Sequence, residues 1–121
     1  MITFYEYPKC STCQRAKAEL QSLLAQDQWQ AIDIKARPPR AEQLIQWMNQ
    51  GKFTLKQFFN TSGNSYRQLG LKDKIDDLTI EQASKLLALD GMLIKRPLLV
   101  QGDTLLQIGY RSPYQALPLT D

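Results

Sequence analysis

The sequence predicts an α/β fold, with a mixed sheet of about four strands and a helical insertion. Three observations support this prediction. A strand, a helix and a second strand begin the chain, helical segments fill its middle, and a β-hairpin lies near its end. Consecutive parallel strands need a crossover connection, whereas hairpin strands are antiparallel, so both kinds of pairing are expected in one sheet.

The first three elements form a β-α-β unit. Residues Ile2–Tyr7 are β-branched and aromatic, which predicts a strand that ends before a proline. Apolar residues recur on one helical face over Gln14–Ala25, and Ser11 or Thr12 is expected to cap that helix. The second strand is predicted over Trp29–Ile34.

The middle of the chain, about 38–91, is predicted to be a helical insertion within a single domain that covers 1–121. A helix is expected over Arg40–Gln50, and Gly51 is its stop signal. Asn60–Gly63 is a polar turn, and Thr79–Gln82 has the pattern of a capping box that opens a further helix.

Near the end of the chain, the spacing of apolar residues changes from a helical period to the alternation of a strand. Leu98–Val100 is predicted as a strand, Gln101–Asp103 as a hairpin turn and Thr104–Tyr110 as the returning strand. Ser112 and Pro113 are expected at the cap and first position of a short final helix.

Buried positions are also predicted in the second strand and in the insertion. Ala31 and Ile32 are predicted to be buried in the strand. Tyr66, Leu69 and Leu71 are predicted to point into the core of the insertion.

Composition excludes several classes of function. The net charge of +3 is too small to indicate a direct interaction with nucleic acid. No apolar run reaches the ~20 residues that span a bilayer, and no signal peptide pattern begins the chain, so a cytoplasmic protein without a membrane association is expected. The absence of histidine excludes Cys-His and Ser-His-Asp catalysis and histidine metal ligands, and no metal is expected.

The candidate active site is the Cys-x-x-Cys pair Cys10 and Cys13, which follows the first strand. In a β-α-β context this pair is typical of thioredoxin-like redox proteins. The helix N-terminus and Lys9 would favour a thiolate at Cys10, and Cys13, one turn inside, would attack a mixed disulfide there. Two unreactive thiols, or half of a zinc site shared between two chains, are the alternatives.

Other residues are candidates for the same site. The loop residues Ser11 and Thr12 stand where backbone N–H groups would hold an oxyanion. If Pro97, at the entry to the third strand, is cis, it would bring Arg96 to Cys10. There a guanidinium can stabilise a thiolate and bind an oxyanion. Arg111 follows the last strand and is a further oxyanion candidate. Arg96 as an ordinary surface arginine and Asn60–Gly63 as a simple turn are the alternatives.

Three segments together resemble the arsenate reductase (ArsC)/Spx/MgsR family: Tyr7–Lys17, Asn60–Gly63 and Asp90–Pro97. The resemblance runs from about Ile2 to Leu117. It implies a thioredoxin-like fold with a helical insertion between the second strand and the C-terminal hairpin, which agrees with the plan reached from the residues.

The resemblance to the reductases of this family implies one function. There a loop cysteine attacks arsenate and three arginines bind the oxyanion; Cys10, Arg96 and Arg111 match the cysteine and two of the arginines. The third arginine would stand near Asn60, where this sequence has none, so Asn60 is the candidate ligand there. The resemblance implies a small oxyanion or a thiol or disulfide substrate. It also implies no bound cofactor, with electrons from glutathione and glutaredoxin or from thioredoxin as the redox partner.

The regulators of this family imply an alternative. In the Spx-like proteins the Cys-x-x-Cys pair is a disulfide switch, and the protein binds the C-terminal domain of the RNA polymerase α subunit. This sequence has the pair and Arg96. It has Ser62 where the regulators have an arginine in the insertion, and Gly51 matches their glycine loosely.

Overall fold

A computed structural model describes residues 1–119 and contains one four-stranded sheet. Its order is β2-β1-β3-β4, in which β1 and β2 are parallel and the other two pairs are antiparallel. The strands are β1 (Ile2–Glu6), β2 (Trp29–Asp33), β3 (Leu98–Gln101) and β4 (Thr104–Ile108). The predicted mixed sheet of the thioredoxin-like plan is therefore confirmed.

The α-helices of the described residues are α1 (Ser11–Leu23), α2 (Ala41–Asn49), α3 (Asn64–Gln68) and α4 (Ile80–Leu89). Short 3-10 turns link them at Gln26–Gln28, Leu55–Phe58, Leu71–Asp73, Ile75–Asp77, Gly91–Leu93 and Tyr114–Ala116. Within residues 1–119, no helix has the length and apolar character needed to cross a membrane.

The chain divides into two compact units. The first contains Met1–Asp33 and the segment from Arg96 onward, and it holds the whole sheet and α1. The second is Ile34–Lys95, which includes the predicted insertion and the helices α2, α3 and α4.

In the first unit, α1 packs on the central strands. Ala16 and Leu20 are fully buried against Ile2 and Phe4 of β1 and Leu99 of β3. The prediction that Ala31 is buried is wrong: β2 is an edge strand, and Ala31 is exposed in a groove between β2 and α1. Ile32 is half-buried.

Both helix caps predicted in this unit are wrong: Ser11 or Thr12 for the first helix, and Ser112 for the final helix. Helix α1 begins at Ser11, and its N-cap is Cys10 rather than Ser11 or Thr12. A thiol can take this place because its sulfur accepts the amide hydrogen bond that a hydroxyl oxygen would otherwise accept.

The final helix is a single turn, and the predicted Ser112 cap is replaced by a side chain from α1. The Glu19 carboxylate accepts hydrogen bonds from the Tyr114 N–H at 2.6 Å and the Gln115 N–H at 3.4 Å. Pro113 occupies the N-cap position and has no side-chain cap hydrogen bond. Glu19 also accepts a hydrogen bond from the Tyr110 hydroxyl at 2.7 Å, so one carboxylate joins α1 to the end of the described chain.

The second unit is built on the packing of α2 and α4. Their buried residues are Leu44, Trp47 and Met48 on α2, and Ala83, Ser84 and Leu87 on α4. The Thr79–Gln82 capping box is confirmed, and Gly51 follows α2 with φ of +74°. Tyr66 and Leu71 are buried as predicted, but Leu69 is 44% exposed because it ends α3 beside the left-handed Gly70.

Gly91 allows two backbone segments of this unit to approach closely. A Cβ atom at Gly91 would lie 1.8 Å from the carbonyl oxygen of Ile34. The contact is with backbone, so it cannot be relieved by rotating a side chain.

We expect Gly91→Ala to destabilise the protein by about 1–3 kcal/mol or more, because the added methyl group forces the two backbone segments apart. Urea unfolding followed by circular dichroism measures the change in the free energy of unfolding. Gly51→Ala is the control, since a Cβ there meets open space and only the positive φ opposes it. Equal losses in the two variants would show that the Ile34 contact is unimportant.

Candidate functional site

The candidate site is built on the loop between β1 and α1. The Cys10 N–H donates to the Tyr7 carbonyl at 2.9 Å, which closes the loop, and the Gln14 side chain donates to the Pro8 carbonyl at 2.9 Å. Cys10 then caps the helix: its sulfur accepts the Cys13 N–H at 3.4 Å. The fold therefore holds the Cys10 sulfur at the positive end of a 13-residue helix.

This position favours the thiolate form of Cys10. Partial burial by itself raises the pKa of Cys10, but hydrogen bonds from the N–H groups of Cys13 and Thr12 and the charge of Arg96 outweigh it. The net result is a pKa below the usual value of a free thiol. Because a thiolate is the reactive form of cysteine, the lowered pKa favours Cys10 over Cys13 as the more reactive thiol.

Cys13 has the opposite character. Its side chain is fully buried, and desolvation raises the pKa of Cys13 to about 12. A hydrogen bond from the Tyr7 backbone and the charge of Arg96 lower the pKa of Cys13, but burial, with the neighbouring Cys10, outweighs them. Both residues are free thiols in this structure. Cys13 is therefore held as a neutral thiol next to an activated one.

Arg96 supplies the positive charge that acts on both sulfurs. The Arg96–Pro97 peptide bond is cis, as the fold plan predicts. The guanidinium carbon of Arg96 lies 5.3 Å from the centre of the Tyr7 ring, in a cation–π contact. The sequence pattern does not predict this role for Tyr7, although the residue stands directly before the cysteine loop.

Ser11 and Thr12 form the first turn of α1. Thr12 contributes its N–H to the electrostatic environment of Cys10, and its hydroxyl accepts a hydrogen bond from Arg15 at 3.4 Å. Ser11 is exposed. Arg111 is also exposed, in the segment after β4. Oxyanion binding by these three residues stays a prediction.

Asn60 belongs to the second unit. Its N–H donates to the Leu93 carbonyl at 2.7 Å, and its carbonyl accepts the Gly63 N–H at 3.1 Å, which closes the predicted turn. Arg67 donates to the Ser62 carbonyl at 3.0 Å and to the Asn64 side chain, so a guanidinium is held on this turn. A role for Asn60 in oxyanion binding stays a prediction.

Elsewhere on residues 1–119, we considered a groove and the groups that could bind a metal ion. The groove between α1 and β2 is lined by Lys17, Gln21, Leu24, Gln26, Trp29 and Ala31, none of which is a nucleophilic thiol. Among residues 1–119, no group of three or more cysteine, aspartate or glutamate side chains is arranged to hold a metal ion. The cysteine loop is therefore the candidate functional site.

A known protein family matches most of this chain. The model of the ArsC family matches residues 5–114, a span that contains the cysteine loop, the insertion and the hairpin. The chain belongs to the ArsC family.

Three proteins similar to this chain have different descriptions. A "possible arsenate reductase" from Streptococcus mutans UA159 has a crystal structure that is 57% identical, covers 98% of each chain and superimposes with a TM-score of 0.93. The uncharacterized protein YusI of Bacillus subtilis (strain 168) is 44% identical over 84% of this chain and 85% of its own. The global transcriptional regulator Spx of Lactiplantibacillus plantarum is 26% identical over 91% of this chain and 80% of its own.

We expect Cys10 to be alkylated faster than Cys13 at neutral pH, and Arg96→Ala to slow alkylation of Cys10. Without the guanidinium the pKa of Cys10 rises, so less thiolate is present at a given pH. The rate of iodoacetamide modification against pH, read by mass spectrometry of each cysteine, measures both effects.

Arg37→Ala is the matched control, because it removes an exposed arginine that is not among the groups acting on Cys10. An unchanged profile for Arg96→Ala, or a shift no larger than that of the control, would contradict the role assigned to Arg96.

Proposed function

We propose that this ArsC-family protein is a thiol-dependent oxidoreductase, with Cys10 as nucleophile and Cys13 as resolving thiol. The observation that carries the proposal is the unequal pair. One sulfur caps α1 under the charge of Arg96, and the other lies buried one turn further along the same helix. A pair with one activated and one protected thiol suits a reaction in which the two sulfurs act in turn.

With a disulfide substrate the electrons balance in two steps. The Cys10 thiolate attacks one substrate sulfur, a mixed disulfide forms and the other substrate sulfur leaves as a thiolate. Cys13 then loses its proton and attacks the Cys10 sulfur, which releases the second substrate thiolate. The substrate has gained two electrons, and the protein holds a Cys10–Cys13 disulfide.

With arsenate as substrate the same two steps apply. Cys10 attacks arsenic and displaces an oxygen as water, and Cys13 then attacks the Cys10 sulfur, so that arsenic leaves as arsenite with two more electrons. Arg96 and Arg111, with Ser11 and Thr12, are the proposed oxyanion ligands in the first unit. Since one charge-assisted hydrogen bond contributes roughly 1.5–3 kcal/mol, a site with two arginines binds arsenate more weakly than a site with three.

The Cys10–Cys13 disulfide must be reduced again after each turnover. We propose glutathione with glutaredoxin, or thioredoxin, as the electron donor, and the cytoplasm as the compartment, where such donors keep thiols reduced. The reaction needs no tightly bound cofactor, because the electrons pass only between sulfur atoms and the substrate.

The decisive experiment compares the wild type with Cys10→Ser and Cys13→Ser, supplied with arsenate or a glutathione mixed disulfide and with each donor system. We expect turnover of at least one substrate by the wild type only. Cys10→Ser has no nucleophile, and Cys13→Ser stops with the substrate attached to Cys10, which intact-protein mass spectrometry detects.

A wild type that turns over a disulfide but not arsenate would identify the thiol chemistry and exclude the oxyanion substrate. A wild type that neither turns over nor forms the Cys10–Cys13 disulfide under mild oxidation would overturn the proposal.

A redox-switched regulator is the second candidate, and its support is the similarity to the regulator Spx. In this case the same pair acts as a sensor: oxidation to the Cys10–Cys13 disulfide changes the surface around the N-terminus of α1. The proposed partner is the C-terminal domain of the RNA polymerase α subunit.

Titration calorimetry with that domain tests this candidate. We expect binding that differs between the reduced and the oxidised protein, and a Cys10→Ser/Cys13→Ser variant, which cannot oxidise, provides the constant control. No binding in either redox state would exclude the regulator.

A further inference from the structure

The ring of Tyr7 and the guanidinium of Arg96 face each other beside the cysteine loop. The guanidinium carbon lies 5.3 Å from the ring centre. Tyr7 is the first residue after β1, and Arg96 stands two residues before β3. Both side chains are half-buried, so water screens the contact only in part.

The register of the sheet explains why these two side chains meet. β1 and β3 are antiparallel, and Tyr5 opposite Leu98 is their last pair before the cysteine loop. The same register, continued two residues past that pair, brings Tyr7 opposite Arg96. Residues directly opposite on antiparallel strands point to the same face, with Cβ atoms about 4.5–5.5 Å apart. The contact therefore follows from the pairing of the two central strands.

The backbone of Tyr7 connects the same residue to Cys10. The Tyr7 carbonyl accepts the Cys10 N–H at 2.9 Å, which closes the loop. The ring that contacts the guanidinium and the turn that holds Cys10 thus belong to one residue. Because the turn uses only the backbone of Tyr7, a substitution there can remove the ring and leave this hydrogen bond in place.

An aromatic ring holds an arginine in a way that a carboxylate cannot. The negative charge of a carboxylate would oppose the positive charge of the guanidinium at any nearby thiol. The face of an aromatic ring attracts a guanidinium through its quadrupole and carries no net charge. The Tyr7 ring therefore fixes the position of Arg96 without reducing the charge that Arg96 presents.

We propose that Tyr7 is a positioning residue of the cysteine site, whose ring holds the Arg96 guanidinium where its charge acts on the Cys10 sulfur. The inference rests on the proposed function, in which Cys10 attacks the substrate. Tyr7 acts through Arg96 and takes no part in the bond-forming steps. Without the ring, the flexible arginine side chain spreads over more rotamers, and the Cys10 thiolate is less stabilised.

Several groups act on the Cys10 sulfur. The N–H groups of Cys13 and Thr12 belong to α1, the Cys13 side chain lies beside the sulfur, and Arg96 adds its charge from the segment before β3. Of these contributions, the charge of Arg96 is the one that depends on the Tyr7 ring. Loss of the ring therefore raises the pKa of Cys10, and by less than the complete loss of Arg96 does.

The experiment measures the thiolate of Cys10 in a Cys13→Ser background, which leaves Cys10 as the one thiol of the chain. Thiolate absorbance against pH gives the ratio of thiolate to thiol. For Tyr7→Leu we expect this ratio, at a fixed pH near the pKa, to fall about two- to fivefold, as for the loss of a part-exposed cation–π contact. Alkylation by iodoacetamide should slow at the same pH.

Tyr7→Phe is the matched control, because it keeps the ring and removes only the hydroxyl, and it should restore the ratio. In an Arg96→Ala background, Tyr7→Leu should change nothing further, since the cation that the ring positions is gone. Tyr7→Met is a second variant without a ring, for use if Tyr7→Leu does not fold. Circular dichroism and urea unfolding establish which variants are folded.

Three results would overturn the inference. They are an unchanged ratio in the variants without a ring, an equal fall in Tyr7→Phe, and a full effect of Tyr7→Leu in the Arg96→Ala background. The titration uses neither a substrate nor an electron donor, so it is independent of turnover. A wild type that turns over while the ratio does not respond to Tyr7→Leu contradicts the inference alone. A wild type without turnover, in which the ratio does respond, contradicts the proposed function alone.

Discussion

The hydrogen bond from the Cys13 N–H to the Cys10 sulfur is the interaction on which the candidate site depends. It makes a reactive residue the N-cap of α1, so the helix and the thiolate stabilise each other. The short loop from Tyr7 to Cys10 then places the sulfur directly at the end of the central strand β1. The same hydrogen bond therefore caps the helix and lowers the pKa of the Cys10 thiol.

The second property of the site is the difference between its two sulfurs. Cys10 and Cys13 are one helical turn apart, yet one is part-exposed and the other is fully buried. With no histidine in the chain, backbone N–H groups and Arg96 provide the activation of Cys10. Burial raises the pKa of Cys13 and holds it as a neutral thiol.

The parts of the fold that follow local rules could be predicted from the sequence. The strand before the cysteine loop, the amphipathic helices and the Thr79–Gln82 capping box depend on patterns within a few residues. The errors have a common cause. Ala31 and Leu69 are exposed because of where their elements lie in the tertiary structure, and apolar character alone does not specify position at a sheet edge or a helix end.

The sequence by itself determined which reactive groups this protein can use: a Cys-x-x-Cys pair, no histidine, and the two candidate arginines Arg96 and Arg111. The tertiary structure alone decided how the groups of the first unit act on one another. Only folding places Arg96 over Tyr7 and Glu19 on the turn at Tyr114. These residues are separated by about 90 or more positions along the chain, and sequence patterns carry no information on such distant side-chain contacts.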